Sequence, residues 1–375
     1  MSDTIDILVL SGEQSGDQLA SQLLQDIKAQ FPHKRIAGMG GPILQKQMDI
    51  LVDNRNLSII GVWEALKKIK LIWRAWGKLK QVVKRSNPLV ILIDYPGMNL
   101  RFAKLAKKNN CKTLYYVSPQ IWAWKAGRIH KIKRYVDHMA VLFPFEKAIY
   151  DKANVPCTVV GHPLAKKAEE NSLDQASLKA KLGFTADKPL VVLCPGSRGS
   201  EISMHLPIIW QSVEALLQQQ SDLQFALLRA PSIGKEKLGA LPAAVKLLEN
   251  SQLSDVFQAA DAGIMVSGTI TLEAAYHQLP MTVIYKMNAF NYPLAKLLVK
   301  TPYVALCNIV CQQELAKELL QQDANAQKIS ANTLALINAP DSRNKMATIL
   351  TALPPADNGP LLPVIRDLVS LNTRT

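Results

Sequence analysis

What most constrains this chain is an alternation, met twice, of short continuous apolar runs with stretches of helical spacing. Ile5–Leu10, Leu89–Asp94, Thr113–Val117, Met139–Phe143 and Thr158–Val160 read as strands, and Leu19–Gln30 and Leu100–Lys108 as helices. The pattern restarts with strands at Pro189–Cys194, Leu223–Leu228, Gly263–Val266 and Met281–Tyr285, and helices at Ile202–Gln219 and Thr269–His277. Runs that are apolar at every position, not every second one, belong to strands covered on both faces, the usual state of a parallel sheet. Two such series imply an α/β chain with two Rossmann-like domains. A length of 375 residues suits two domains of roughly 150 residues. Strand signals stop between Gly161-His162-Pro163 and about Asp174. The expected division is therefore 1–165, 166–340 and a tail at 341–375, in which Pro360–Asn372 reads as a short helix of open placement.

Composition excludes several classes. Apolar residues make up 48% and charged residues 20%, so the chain is not disordered. No apolar run approaches the roughly 18 residues of a membrane span. The start, Met1-Ser-Asp-Thr-Ile-Asp6, lacks the basic opening of a secretory signal, which points to the cytoplasm. The five cysteines (Cys111, Cys157, Cys194, Cys307 and Cys311) are odd in number and have no CxxC spacing. Neither a disulfide framework nor a zinc site is indicated. The net charge of +14 is concentrated: residues 1–165 hold 25 Lys/Arg against 12 Asp/Glu, a net of +13, and the rest 19 against 18. A field of that sign attracts phosphates, whether in nucleic acid, lipid headgroups or phosphorylated substrates.

In doubly wound sheets ligands sit at the carboxyl ends of strands. Four turns there carry chemistry. Ser11-Gly12-Glu13-Gln14-Ser15-Gly16-Asp17 can offer backbone N–H groups to an anion at a helix start, or be a tight turn capped by Ser15 or Asp17. It is not a GxGxxG dinucleotide fingerprint. Asp94-Tyr95-Pro96-Gly97 puts a carboxylate at a strand end, held by a Pro-Gly turn, where it can act as a general base or bond its own backbone. Pro195-Gly196-Ser197-Arg198-Gly199 combines close backbone approach with a forked phosphate donor in Arg198. Ser267-Gly268-Thr269-Ile270-Thr271-Leu272-Glu273 opens a helix whose N-terminus suits a diphosphate, with Glu273 one turn in and able to accept from ribose hydroxyls.

Two basic stretches stand apart. In Val62–Trp76, the residues Val62, Trp63, Leu66, Ile69, Trp73 and Trp76 recur at helical spacing, with Lys67, Lys70, Arg74 and Lys78 largely opposite. That pattern describes a helix lying on a membrane surface, or a core helix with a solvated basic back. From Arg101 to Arg134 there are ten Lys/Arg and no acid, enclosing Tyr115–Lys125, whose aromatics could stack on bases or line an acyl or sugar groove.

Taken together, these segments resemble the lipid-A-disaccharide synthases, a glycosyltransferase family. Gly12–Asp17 matches G-E-x-S-G-D and Tyr116–Trp124 matches Y-V-S-P-x-x-W-A-W. Leu142–Asp151, Asn154–His162, Pro195–Gly199, Ser267–Glu273 and Leu294–Asn308 match further patterns, in order, from about residue 7 to about 322. The resemblance implies a GT-B fold, two Rossmann-like domains facing across a cleft, with an acceptor half and a UDP half. It implies transfer from UDP-2,3-diacylglucosamine to 2,3-diacylglucosamine 1-phosphate (lipid X), giving the β-1′,6-linked disaccharide 1-phosphate and UDP. No cofactor or metal is implied, nor nucleic acid. The expected setting is the anionic inner-membrane surface of a Gram-negative cell, and a homodimer is left open. The family's catalytic aspartate lands on Asp94 and its phosphate arginine on Arg198. Gly12, Ser15, Gly16, Asp17, Ser197, Gly268, Thr269, Glu273, Asn308 and Glu314 fall on substrate- or UDP-binding positions, and Trp63, Leu66, Lys67, Ile69, Lys70, Trp73, Arg74 and Trp76 on the membrane face.

The chain departs from the family where D-x-P-D-F-N reads Asp94-Tyr95-Pro96-Gly97-Met98-Asn99, where Y-R-M reads Tyr285-Lys286-Met287, and where L-P-N reads Leu306-Cys307-Asn308. Gly97 and Lys286 motivate one alternative, a non-catalytic paralogue that retains UDP binding. A transferase acting on a lipid-linked peptidoglycan precursor and a UDP-sugar epimerase are opposed by the Tyr116–Trp124 match. A nucleic-acid-binding protein lacks any module signature. Sequence alone does not separate Asp94 from Asp17 as base.

Overall fold

The structure, a computed structural model, describes residues 4–56, 62–123, 125–164, 173–287, 301–339, 341–349, 353 and 356–372; the side chains of 14, 15, 56, 62–70 and 72 are outside that description. The chain divides into two compact units, one of residues 1–163 with 355–375, the other of residues 164–354.

The first unit is built on a seven-stranded parallel sheet of β1 (Ile7–Ser11), β2 (Ile36–Gly40), β3 (Asp49–Asp53), β4 (Leu89–Ile93), β5 (Thr113–Tyr116), β6 (His138–Val141) and β7 (Cys157–Val159). The order is β3-β2-β1-β4-β5-β6-β7. The second has six parallel strands, β8 (Leu190–Cys194), β9 (Gln224–Arg229), β10 (Val245–Glu249), β11 (Ala262–Val266), β12 (Met281–Tyr285) and β13 (Lys317–Leu320), ordered β10-β9-β8-β11-β12-β13. Strands β1, β4, β5, β8 and β11 are buried along their length, which is why their sequences are apolar without alternation.

Four strands are not evident in the sequence. β3, β10 and β13 lie at sheet edges with exposed positions and charged ends, so they lose the continuous apolar signature. β2 is interrupted by glycine because a Cβ on Gly38 would stand 1.9 Å from the carbonyl oxygen of Val9 on β1. The helix expected after a Pro-Gly turn begins at Pro96 itself and runs Pro96–Lys108, so Gly97 is helical and no turn residue. A proline at the first helical position needs no N–H and brings a suitable φ.

The basic helix extends over Val62–Ser86. Leu79 and Val83 are buried, and Trp76 meets Phe102 edge-on at 5.3 Å between ring centres. Spacing of three and four residues puts these on one inward stripe. Trp76 therefore packs on the core and does not belong to an outward face with Trp73, which is 72% exposed. Arg74 is exposed too. The side chains of Trp63, Leu66, Lys67, Ile69 and Lys70 lie outside the described residues.

The tail splits. Residues 341–354 belong to the second unit, while the remainder returns to the first. There the helix Leu362–Asn372 buries Ile365, Leu368 and Val369. Asn358 fixes the return: its Oδ1 accepts from Tyr116 Oη at 3.2 Å and its Nδ2 donates to Asp26 at 2.7 Å. Asn358→Ala leaves the buried Tyr116 hydroxyl without its partner. It is expected to cost about 1–3 kcal/mol of stability, read from urea unfolding followed by tryptophan fluorescence.

Candidate active site

In the first sheet the winding reverses between β1 and β4, and Ser11 pairs with Ile93 at their carboxyl ends. The turns that follow are thus neighbours in the crevice where doubly wound sheets bind ligands. They interlock: the Tyr95 ring lies against Gly12, so closely that a Cβ there would be 2.4 Å from it. Gly16 leaves similar room for Ser11 Oγ, which a Cβ would meet at 2.8 Å.

Asp94 and Tyr95 both sit in the left-handed region, at φ 41° and 45°. Such residues each cost on the order of 1–3 kcal/mol unless the surroundings impose them. Here they are imposed. The Asp94 carbonyl accepts from Tyr115 Oη at 2.6 Å and from Asn99 Nδ2 at 2.8 Å, and its N–H donates to the Tyr116 carbonyl at 3.0 Å. Asn99 Nδ2 also reaches the Ile93 carbonyl at 3.0 Å. Burial pushes the Asp94 carboxyl up to about 6; the Tyr95 backbone N–H opposes this, nearby Glu13 adds to it and Arg128 counters it. A carboxyl so placed is a better base than a free aspartate while still ionised near neutral pH.

Asp17 is a different object. It is fully buried, with Oδ2 accepting from Gly41 N at 2.7 Å and Oδ1 from Asn54 Nδ2 at 3.0 Å. Its oxygens tie the first helical turn to the end of β2 and to the segment after β3. It serves as a structural tie, and burial raises its pKa against the donors of Ser11, Gly41 and Asn54. The Ser15 side chain lies outside the described residues. Glu146, equally buried, accepts from Trp122 Nε1 at 3.1 Å and from Phe143 N at 3.2 Å. Burial pushes it up to about 7, against the N–H of Phe143 and the groups of Ser118 and Trp122. It anchors the loop after β5, where Ser118 Oγ and Tyr150 Oη are 2.8 Å apart. Trp124 is not among the described residues.

The second sheet repeats the arrangement. Its winding reverses between β8 and β11, and Met265 pairs with Cys194 at the strand ends. The turn after β8 passes through Gly196 at φ 116° into the helix Gly199–Gln219. Glu201 Oε2 accepts from Ser197 N at 2.8 Å and Arg198 N at 3.2 Å, while Oε1 takes Arg198 Nη1 at 2.9 Å. The Arg198 side chain is 77% exposed, so its remaining donors face solvent. The turn after β11 leads into the helix Thr269–Tyr276, with Gly268 and Thr269 exposed and Glu273 partly buried near Cys194. A Cβ on Gly268 would meet nothing within 4 Å. At the end of β12, the Lys286 backbone N–H donates to His205 Nε2 at 2.8 Å.

Asn308 is not placed for a ligand. It is buried, and its amide makes four bonds: Oδ1 accepts from Leu315 N and Ala316 N, both at 2.9 Å, and Nδ2 donates to the Ala316 carbonyl and Glu318 Oε1, both at 2.8 Å. Glu314 is exposed and pairs with Lys317 at 3.5 Å. Sequence reasoning missed Asn99, Tyr115, Arg128 and Glu318, which touch or face site groups only through the fold. Among the described residues no cluster of three or more His, Cys, Asp or Glu is arranged to hold a metal ion.

Comparison with known proteins resolves what family two sheets of this kind belong to. The profile described as lipid-A-disaccharide synthetase matches residues 7–352. A lipid-A-disaccharide synthase of Coxiella burnetii (strain Dugway 5J108-111) is 41% identical over 352 residues, 93% of each chain. The chain belongs to the lipid-A-disaccharide synthetase family. Among solved structures, the calicheamicin glycosyltransferase CalG4 aligns at a TM-score of 0.58 and 12% identity over 98% of this chain and 99% of that one. A UDP-GlcNAc 2-epimerase from Neisseria meningitidis, bound to UDP-GlcNAc, aligns at 0.61 and 12% over 99% and 100%. These likenesses concern the fold, which is GT-B; a transferase and an epimerase both wear it, and family membership decides for the transferase.

Asp94 and Asp17, both with pKa values raised by desolvation, are expected to differ in their response to an amide because Asp17 is held by more donors. Asp94 has a folded-state pKa raised from 3.8 to about 6. Its stabilising proton is fully held below pH 3.8 and lost as pH rises through about 6, so the ionised carboxyl burdens the fold at pH 8. Asp94→Asn should raise the thermal midpoint at pH 8, with the gain vanishing near pH 4. Asp17→Asn turns an amide N–H toward existing donors and should lower stability by about 1–3 kcal/mol. Calorimetry at both pH values checks the pair.

Proposed function

We propose that this chain is the inverting glycosyltransferase joining UDP-2,3-diacylglucosamine to 2,3-diacylglucosamine 1-phosphate, giving the β-1′,6-linked disaccharide 1-phosphate and UDP. Family membership supports the reaction, and the observation that carries the mechanism is Asp94, a carboxyl at the winding reversal with its backbone gripped and its pKa raised to about 6. The acceptor's 6-hydroxyl attacks C1 of the donor sugar from the face opposite UDP. The new O–C1 bond forms as the bond from C1 to the phosphate oxygen breaks. Asp94 takes the hydroxyl proton, and UDP leaves with the electron pair.

The first unit is the acceptor domain in this reading and the second the UDP domain. Charge developing on the diphosphate is met by Arg198, Ser197 and the N–H groups at Gly268 and Thr269, which act without reorganisation. Glu273 accepts from the ribose hydroxyls. Gly12 and Gly16 serve by letting the two turns of the first unit approach each other. Gly97 stands where the family has a second aspartate, and a Cβ there would meet nothing within 4 Å, so the chain lacks that carboxylate without rebuilding around Asp94.

Both substrates carry acyl chains and phosphate, so the enzyme works at an anionic inner-membrane surface, held there peripherally from the cytoplasmic side. Among the described residues no helix is long and apolar enough to cross a membrane. Support comes from the +13 net charge of residues 1–165 and from Trp73, exposed beside Leu71 and Arg74 on one helix.

The test is UDP release by purified protein given both substrates in detergent. Wild type should turn over, Asp94→Ala should lose roughly 10²–10⁴-fold, and kcat/KM should fall about tenfold per pH unit below about 6. No UDP release with any acyl length would sink the enzymatic reading; a mutant that matches wild type would sink only the role of Asp94. For the membrane face, Trp73→Ala should weaken co-sedimentation with anionic vesicles by roughly tenfold and leave turnover in detergent unchanged.

A further inference from the structure

We propose that Glu318 is a positioning residue for the UDP donor, acting with Asn308 through the peptide of Val304. The inference rests on the reading that the donor diphosphate binds at the turn after β11. Glu318 lies in β13, which pairs in parallel with β12 at Val283. Its carboxylate leaves the strand to grip the start of the helix Leu306–Cys311. Val304 N donates to both oxygens, at 3.0 and 2.9 Å, Ala305 N donates to Oε1 at 2.9 Å, and Asn308 Nδ2 donates to the same oxygen at 2.8 Å.

The other side of the Val304 peptide faces the donor turn. Its carbonyl accepts from Ser267 Oγ at 2.8 Å. Ser267 is the first residue beyond β11 and its own N–H is held by the Ile284 carbonyl at 3.1 Å. One peptide therefore bridges an anionic clamp and the turn that offers Gly268 and Thr269 to the diphosphate. Asn308 completes the clamp: with Oδ1 on Leu315 N and Ala316 N, it holds the approach to β13 that carries Glu318. Asn308 thus serves the donor turn from within the protein, its amide fully engaged there. Three N–H groups converging on one carboxylate require an acceptor there, and an amide in its place turns a donor toward Val304 or Ala305.

The experiment is steady-state kinetics of Glu318→Gln with each substrate varied in turn, together with UDP binding by calorimetry. The expected result is a donor KM and a UDP Kd raised roughly tenfold, the value of one charge-assisted hydrogen bond. The acceptor KM should stay at its wild-type value; any fall in the thermal midpoint of Glu318→Gln should not extend to Ser267→Ala, whose midpoint stays at the wild-type value. Ser267→Ala, which cuts the same bridge at an exposed turn, should give the same donor-selective shift. Asn308→Ala combined with Glu318→Gln should cost no more than the worse single change. If Glu318→Gln fails to fold, Ser267→Ala carries the test alone. Equal loss of both substrates with a lowered midpoint in both variants, or an unchanged donor KM, would overturn the proposal. Wild type that does not bind UDP would overturn the donor reading beneath it. UDP binding weakened by Arg198→Ala but untouched by Glu318→Gln and Ser267→Ala would overturn the role of Glu318 alone.

Discussion

Everything distinctive in this molecule depends on where its two sheets reverse their winding. A parallel strand can be followed only by a crossover, and crossovers on the two sides of the reversal leave over opposite faces of the sheet. The strand ends between them are left uncovered. In the first unit those ends belong to β1 and β4, in the second to β8 and β11. Turns that would be ordinary elsewhere become adjacent there, with Ser11 beside Ile93 and Cys194 beside Met265. Asp94 needs that adjacency, because Asn99 can reach carbonyls of both β1 and β4 only when the two strands end together.

The carboxylates near these reversals differ in what they fasten. Asp17, Glu146, Glu201 and Glu318 each accept from backbone N–H groups, and each fastens a loop. Asp94 has its backbone N–H and carbonyl fastened by its neighbours, while its carboxylate meets the N–H of Tyr95 in the same turn. Anchoring the peptide from outside is how a strand-end aspartate stays both fixed and basic.

How much of this was legible in sequence follows the same physics. Central strands announced themselves because burial on both faces leaves an unbroken apolar run, and the turns after them carried the family's motifs. Edge strands such as β13 were silent, since one exposed flank admits Lys317 and Glu318. Residue type located Asp94 and Asp17 equally well but could not tell them apart. What distinguishes them is the presence of Gly41 and Asn54 around one and of Tyr115 and Asn99 around the other, all distant or differently oriented in the chain. Asn308 is engaged within the protein for a related reason: Leu315, Ala316 and Glu318, which hold its amide, lie seven to ten residues away and only a closed loop brings them together. The Trp stripe at 62–76 was misjudged at one end, where Trp76 turns to Phe102, because helical spacing gives a face but not what the face meets.

Two burdens fall on Asp94 at once, a left-handed backbone shared with Tyr95 and a carboxyl held away from water. Either alone favours relaxation of the turn: the strain by flipping the peptide, the desolvation by swinging the side chain outward. Neither is free to relax, because flipping the peptide would strand the Tyr115 hydroxyl and the Asn99 amide, and the Tyr95 ring is packed against a glycine with no room to give. The stability that holds Asp94 in this state is drawn from the fully buried strands β1, β4 and β5. Desolvation raises the Asp94 carboxyl, so any change that lets water reach it would lower its proton affinity.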